Sequence, residues 1–224
     1  MKWISNSVTE SKALKDHYTL HSIDIIVKDN LPDNVDIEFV IKYITARVPQ
    51  FLISGIDIIY VGQFSDLIEK GVNALYEDGA IYITNNQTDE MDMIDDIVHE
   101  LAHAVENNFP DLIYGDGKLE EEFLRKRFQL TRVLKNANEP LPPTQFSVAL
   151  GFDQQIDDYL YKDVGYTALW NYTVGIFPSP YSATSLREYF ARGFEEYFIG
   201  DRKSLTKGFN VLYSKLQDLV ELEE

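Results

Sequence analysis

Apolar residues recur along this chain with two different periods, and the change from one to the other lays out its elements. In 22–27 the run Ile23, Ile25, Ile26, Val27 is rich in β-branched residues and predicts a buried strand. A helix is expected next, capped at Asp33 or Asn34 and running to about Arg47, with Ile37, Val40, Ile41 and Ile44 on its inner side. Gly55 introduces a second strand over 56–61, and a short helix covers 64–69. Two apolar runs, 73–76 and 80–84, flank Glu77-Asp78-Gly79. Asp-Gly between such runs is a strong hairpin signal.

The period then turns helical near Thr88 or Asp89. Ile94, Ile97, Val98, Leu101 and Val105 follow i, i+3, i+4, i+7 spacing and define one face. His99 and His103 lie four apart on another face, within the motif His99-Glu100-x-x-His103. Two imidazoles one turn apart can grip a single Zn²⁺, and Glu100 can reach the water that fills an open coordination position. The same five residues also occur on ordinary amphipathic helices, so the surrounding sequence has to decide. The acids Asp89, Glu90, Asp92, Asp95 and Asp96 occupy the first turns, where the helix dipole favours them.

Helical spacing resumes over 118–136, with Leu119, Phe123, Phe128, Leu130 and Leu134 as expected core contacts. Glu139-Pro140-Leu141-Pro142-Pro143 is a stiff break. Residues 147–176 are aromatic-rich without a regular period. Residues 1–20 are polar and mixed, and read as an N-terminal arm or a short helix; their His17 and the following His21 are expected to be surface histidines.

Composition narrows the chemistry. The 224 residues and their 45% hydrophobic content suit one domain, 1–224, with a real core. A net charge of −17 argues against nucleic acid as a partner, because phosphate binding needs a concentrated basic surface. There is no cysteine, so a metal would be held by His and carboxylates alone. The N-terminus lacks the apolar run of a secretory signal, and no stretch approaches the roughly 18 apolar residues that span a bilayer. The expectation is a soluble chain, cytoplasmic as synthesised, with export by another route left open.

A catalytic zinc takes three protein ligands, and the third should be a carboxylate on a later helix. Glu188 is the best candidate, with Glu195 behind it. In 186–198, Phe190, Phe194 and Tyr197 form an apolar stripe while Glu188, Arg192 and Glu195 share another face. Ser185-x-x-Glu188 equally fits a capping box in which Glu188 folds back on the Ser185 amide. Local sequence leaves both open.

His99-Glu100-x-x-His103, then Tyr181, then Glu188-Tyr189-Phe190-Ala191 seven residues on (188 − 181 = 7), resembles the catalytic domain of anthrax lethal factor and the related Pro-Pro endopeptidases. The resemblance covers roughly 55–110 and 178–220. It implies an α+β, zincin-like fold: a small twisted mixed sheet backing the active-site helix, then a mainly helical lower lobe. It implies one Zn²⁺ per chain on His99, His103 and Glu188, with Tyr181 reaching into the site. The activity implied is a zinc-dependent endopeptidase in which Glu100 activates a zinc-bound water. Ala80–Thr84 would be the edge strand along which a peptide or protein substrate adds, though the sequence equally allows it to be an inner strand. A zincin-fold binding or assembly module that cleaves nothing is the alternative. This chain departs from the family in two respects. Arg192 stands where the family has a second Glu, and the gap from His103 to Glu188 (188 − 103 = 85) is longer, which makes 115–176 an expected insertion.

Overall fold

The computed structural model describes residues 16–223, and the chain divides after Val105 into two compact units. The architecture is α+β, a five-stranded mixed sheet followed by a mainly helical region.

The first unit is built on strands β1 (Asp16–Leu20), β2 (Ile23–Val27), β3 (Ile58–Gly62), β4 (Ala74–Glu77) and β5 (Ala80–Thr84), in the order β1-β2-β3-β5-β4. β2, β3 and β5 run parallel, and β1 and β4 close the two sides antiparallel. One face carries Ile23, Ile25, Val27, Ile59, Val61, Ile81 and Ile83, all buried. Burial of alternate residues only is what a sheet with one covered face demands. Helix α1 (Ile37–Thr45) starts at Asp36 rather than at Asp33 or Asn34. The Asp36 carboxylate accepts the Glu38 and Phe39 N–H groups, whereas Pro32–Val35 closes a turn ahead of the helix. The short helix after β3, α2, spans Ser65–Lys70 and ends on Gly71 at φ 67°.

Two further expectations change in this unit. Residues 16–20 form a strand, not an arm or helix: Tyr18 and Leu20 alternate with polar His17 and Thr19, a period of two. Residues 1–15 of the expected arm lie outside the described residues. Ala80–Thr84 is not an edge, because β5 is paired on both sides and β4 is the outermost of the described strands. The cause is the parallel pairing of β3 with β5, from Ile58 beside Ala80 to Gly62 beside Thr84, on the side that the hairpin leaves open. Asp78 (φ 47°) and Gly79 (φ 83°) both take the left-handed conformation of a two-residue I′ loop, which folds β4 back along the outer side of β5.

Helix α3 (Glu90–Asn108) carries the chain out of the sheet. Its five predicted apolar positions, Ile94, Ile97, Val98, Leu101 and Val105, are all buried. Among the described residues no helix is long and apolar enough to cross a membrane.

The second unit is helical. Its principal elements are α4 (Pro110–Tyr114), α5 (Lys118–Asn136), α6 (Gln154–Asp158), α7 (Tyr166–Thr173), α8 (Leu186–Phe198), α9 (Arg202–Leu205) and α10 (Asn210–Val220). Phe123, Phe177 and Tyr189 meet with ring centroids 5.7–5.9 Å apart at the centre. Buried Glu122 joins three parts of this core. It accepts the Tyr189 hydroxyl at 2.8 Å and the Val211 and Leu212 N–H groups at 3.1 and 3.2 Å, so its charge sits at the positive end of α10. In α5, Phe128 is exposed rather than core, and Arg127 is fully buried in its stead. The apolar row runs 119, 123, 127, 130, 134 at helical spacing, and position 128 falls one residue off it.

Candidate metal centre

Two imidazoles belong to α3. Regular helix from Glu90 onward puts His99 and His103 one turn apart, with ring centroids 4.9 Å apart and planes at 86°. Glu100 is 7% exposed, and its Oε2 accepts the Tyr76 N–H at 2.6 Å. That bond ties α3 to the outermost strand.

The carboxylate belongs to α8. Tyr181 opens a short 3₁₀ turn, Tyr181–Ala183, and is 42% exposed. Ser185 then caps α8: its hydroxyl accepts the Glu188 N–H at 3.2 Å, which places Glu188 in the first turn. The segment between Tyr181 and Glu188 is held from below by Arg127. Its guanidinium donates to the carbonyls of Ala183 (3.0 Å) and Thr184 (2.7 Å), and to those of Phe146 (3.2 Å) and Ala149 (2.6 Å). It lies against the Phe123 and Phe146 rings, 4.5 and 4.7 Å from their centroids. The Leu186 N–H also donates to the Leu150 carbonyl at 2.8 Å. Residues of 115–176 thus position the start of α8.

His99, His103 and Glu188 each offer one ligand atom, and these atoms lie within 4.8 Å of one another. The three could hold a metal ion. Two neutral imidazoles and one carboxylate, with no thiolate in the chain, is the donor set of an open three-ligand zinc site. The residues present fit the ion. Of the two explanations for Glu188, the Ser185 hydroxyl-to-N–H half of the capping box is formed, and the Glu188 carboxylate lies within reach of the imidazoles.

The remaining candidates lie elsewhere. Glu195 is engaged by Arg192, which also donates to Glu196 at 3.0 Å. Arg192, standing where the resemblance has a Glu, is therefore part of an ion-pair group on α8. His17 pairs with Asp24 at 3.4 Å on the exposed side of β1. His21 bonds the Val48 carbonyl at 3.0 Å from a left-handed turn position.

Two titrating neighbours bear on the site. Burial pushes the Asp96 carboxyl up to about 6, against the opposing hydrogen bond from Gln87. The Tyr166 hydroxyl is raised to about 12, first by burial and then by the charges of Asp157 and Glu188, so α7 begins close enough to Glu188 to feel it. Sequence reasoning missed Tyr166, Arg127 and the Tyr76 N–H. Only Arg127 left a signal, the helical row in α5 that passes through it.

Comparison with known protein families, with curated proteins and with solved structures finds no match to this chain.

Proposed function

We propose that this chain is a zinc-dependent endopeptidase. The observation that carries the reading is the His99, His103 and Glu188 donor group with Glu100 one residue along the same helix. His99, His103 and Glu188 would hold Zn²⁺, which would act there as a Lewis acid that polarises a carbonyl and lowers the pKa of water to about 7.

The side chains do the rest. Glu100 accepts a proton from the attacking water as its oxygen bonds to the peptide carbonyl carbon. It returns that proton to the amide nitrogen as the C–N bond breaks, so the products are a carboxylic acid and an amine. Tyr181 donates a hydrogen bond to the carbonyl oxygen as negative charge develops there; losing one such donor typically costs about 10²–10³ in kcat. The substrate is an extended peptide or protein segment that adds along β4, the outermost described strand, beside the amide that Glu100 occupies.

The test combines metal content with cleavage. Protein purified without chelator should carry about one Zn²⁺ per chain, the stoichiometry that one His₂Glu site takes. Glu100→Gln keeps an acceptor for the Tyr76 N–H but cannot take a proton, so it should retain zinc and folding. Its turnover of a substrate found in a peptide library should fall by about 10²–10⁴. Near-normal cleavage by Glu100→Gln, or full activity without metal, would sink the proposal.

A further inference from the structure

The geometry points to the backbone N–H of Tyr76 as the group that positions Glu100, a role that rests on the peptidase reading above. The register of the hairpin makes this N–H available. β4 and β5 pair with Tyr76 opposite Ile81 and Ala74 opposite Ile83. One step further out, the Thr84 N–H donates to the Asn73 carbonyl at 2.8 Å, which makes 73 and 84 a hydrogen-bonded pair. In an antiparallel ladder such pairs alternate, so 75 and 82 bond to each other while 74 and 76 turn their N–H and C=O groups away from β5. Among the described residues no further strand lies on that side, and the Tyr76 N–H meets Glu100 Oε2 at 2.6 Å instead.

A glutamate reaching its target through a flexible stem has many rotamers. A base that must meet a proton within hydrogen-bond distance needs one of them. The charge-assisted bond from a strand amide supplies the constraint from rigid backbone. It engages Oε2 of the carboxylate from the strand side. Because the donor is main chain, no side-chain motif encodes it.

The same register makes the test clean. Proline at 76 deletes the N–H without removing a bond to β5, and a strand at the side of a sheet tolerates proline when its N–H faces outward. Leu75 before it is already extended, as proline requires. Tyr76→Ala loses the ring but keeps the N–H, so the comparison of Tyr76→Pro with Tyr76→Ala isolates the donor. With both variants carrying zinc like wild type, kcat of Tyr76→Pro should be lower than that of Tyr76→Ala by about 10–100-fold, with KM within about twofold. A purely structural strand contact would move stability and KM instead.

A second measurement needs no substrate and does not depend on the proline variant folding. In the wild-type protein the Tyr76 amide should exchange its hydrogen slowly despite facing out of the sheet. In Glu100→Ala it should exchange at least about tenfold faster while the amides of β5 are unchanged. Equal exchange of Tyr76 in the two proteins, or equal kcat of Tyr76→Pro and Tyr76→Ala, overturns the assignment. A zinc-loaded wild type that cleaves no peptide while Tyr76 stays protected overturns the peptidase reading and the catalytic role with it, and leaves the hydrogen bond standing.

Discussion

Arg127 is where burial and charge are most opposed: a guanidinium with no exposure, held by four carbonyls and two aromatic faces. Burial pushes its pKa down to about 10, yet it stays charged at neutral pH. Arg127→Met keeps the apolar stem but leaves those carbonyls without donors, each costing about 1–3 kcal/mol, offset in part by no longer burying a charge. The carbonyl loss wins, and we expect a net destabilisation of about 3 kcal/mol or more in urea unfolding; a change below 1 kcal/mol would contradict this account. Asp96 gives a pH dependence of the opposite kind to an ordinary paired carboxylate. Its carboxyl is raised from 3.8 to about 6, so between those values the folded chain binds more protons than the unfolded one. Stability from this group is therefore lost as pH rises through that window. In metal-free protein, Asp96→Asn should flatten the decline in melting temperature between pH 4 and 6.

At the scale of elements, α8 and α10 meet so closely that a Cβ built on Gly193 would come within 2.4 Å of a Leu212 methyl and 2.8 Å of its Cγ. Alanine is the better helix former by about 1 kcal/mol, but overpacking typically costs about 1–3 kcal/mol. We expect Gly193→Ala to destabilise, with the chemical-denaturation midpoint as the measure; a stabilised variant would show that the helices can separate cheaply. What was legible in the sequence follows the same division between local and distant causes. The α3 stripe and the Asp78-Gly79 hairpin depend on residues a few positions apart, and both were readable. The place of β5 inside the sheet depends on parallel pairing of Ile58 with Ala80 and its neighbours, which alternation within one strand cannot report. The misplacement of Phe128 had a local cause, since a bulky apolar residue was favoured over the helical row that passes through Arg127. Residues 154–173 stayed unreadable because their helical pieces, with a π-helical stretch at Tyr159–Val164, are too short to show a period.

For the whole molecule, the candidate ligands His103 and Glu188 are 85 positions apart in sequence (188 − 103 = 85), so motif spacing points to His99 and His103 while Glu188 needs the fold or a resemblance. Ligands this distant assemble only in the folded chain, and zinc should therefore stabilise it by mass action, about 2.7 kcal/mol at a hundredfold excess over Kd. Glu188→Gln keeps the backbone N–H that bonds Ser185, so its metal-free melting temperature should match wild type. The upward shift on adding zinc should shrink sharply; an undiminished shift would move the third ligand elsewhere. The sheet carries a consequence for the order in which the chain acquires its structure. The β4–β5 hairpin closes on neighbouring residues, an event of about 1–10 μs, whereas β3 joins β5 only after a longer loop is drawn in. Until α3 arrives, the outward amides of β4 face solvent as an open template for another chain. Glu100, arriving with that helix, then occupies the Tyr76 amide, so the residue proposed as the base also removes one of the two outward amides through which the nascent protein can pair with another chain.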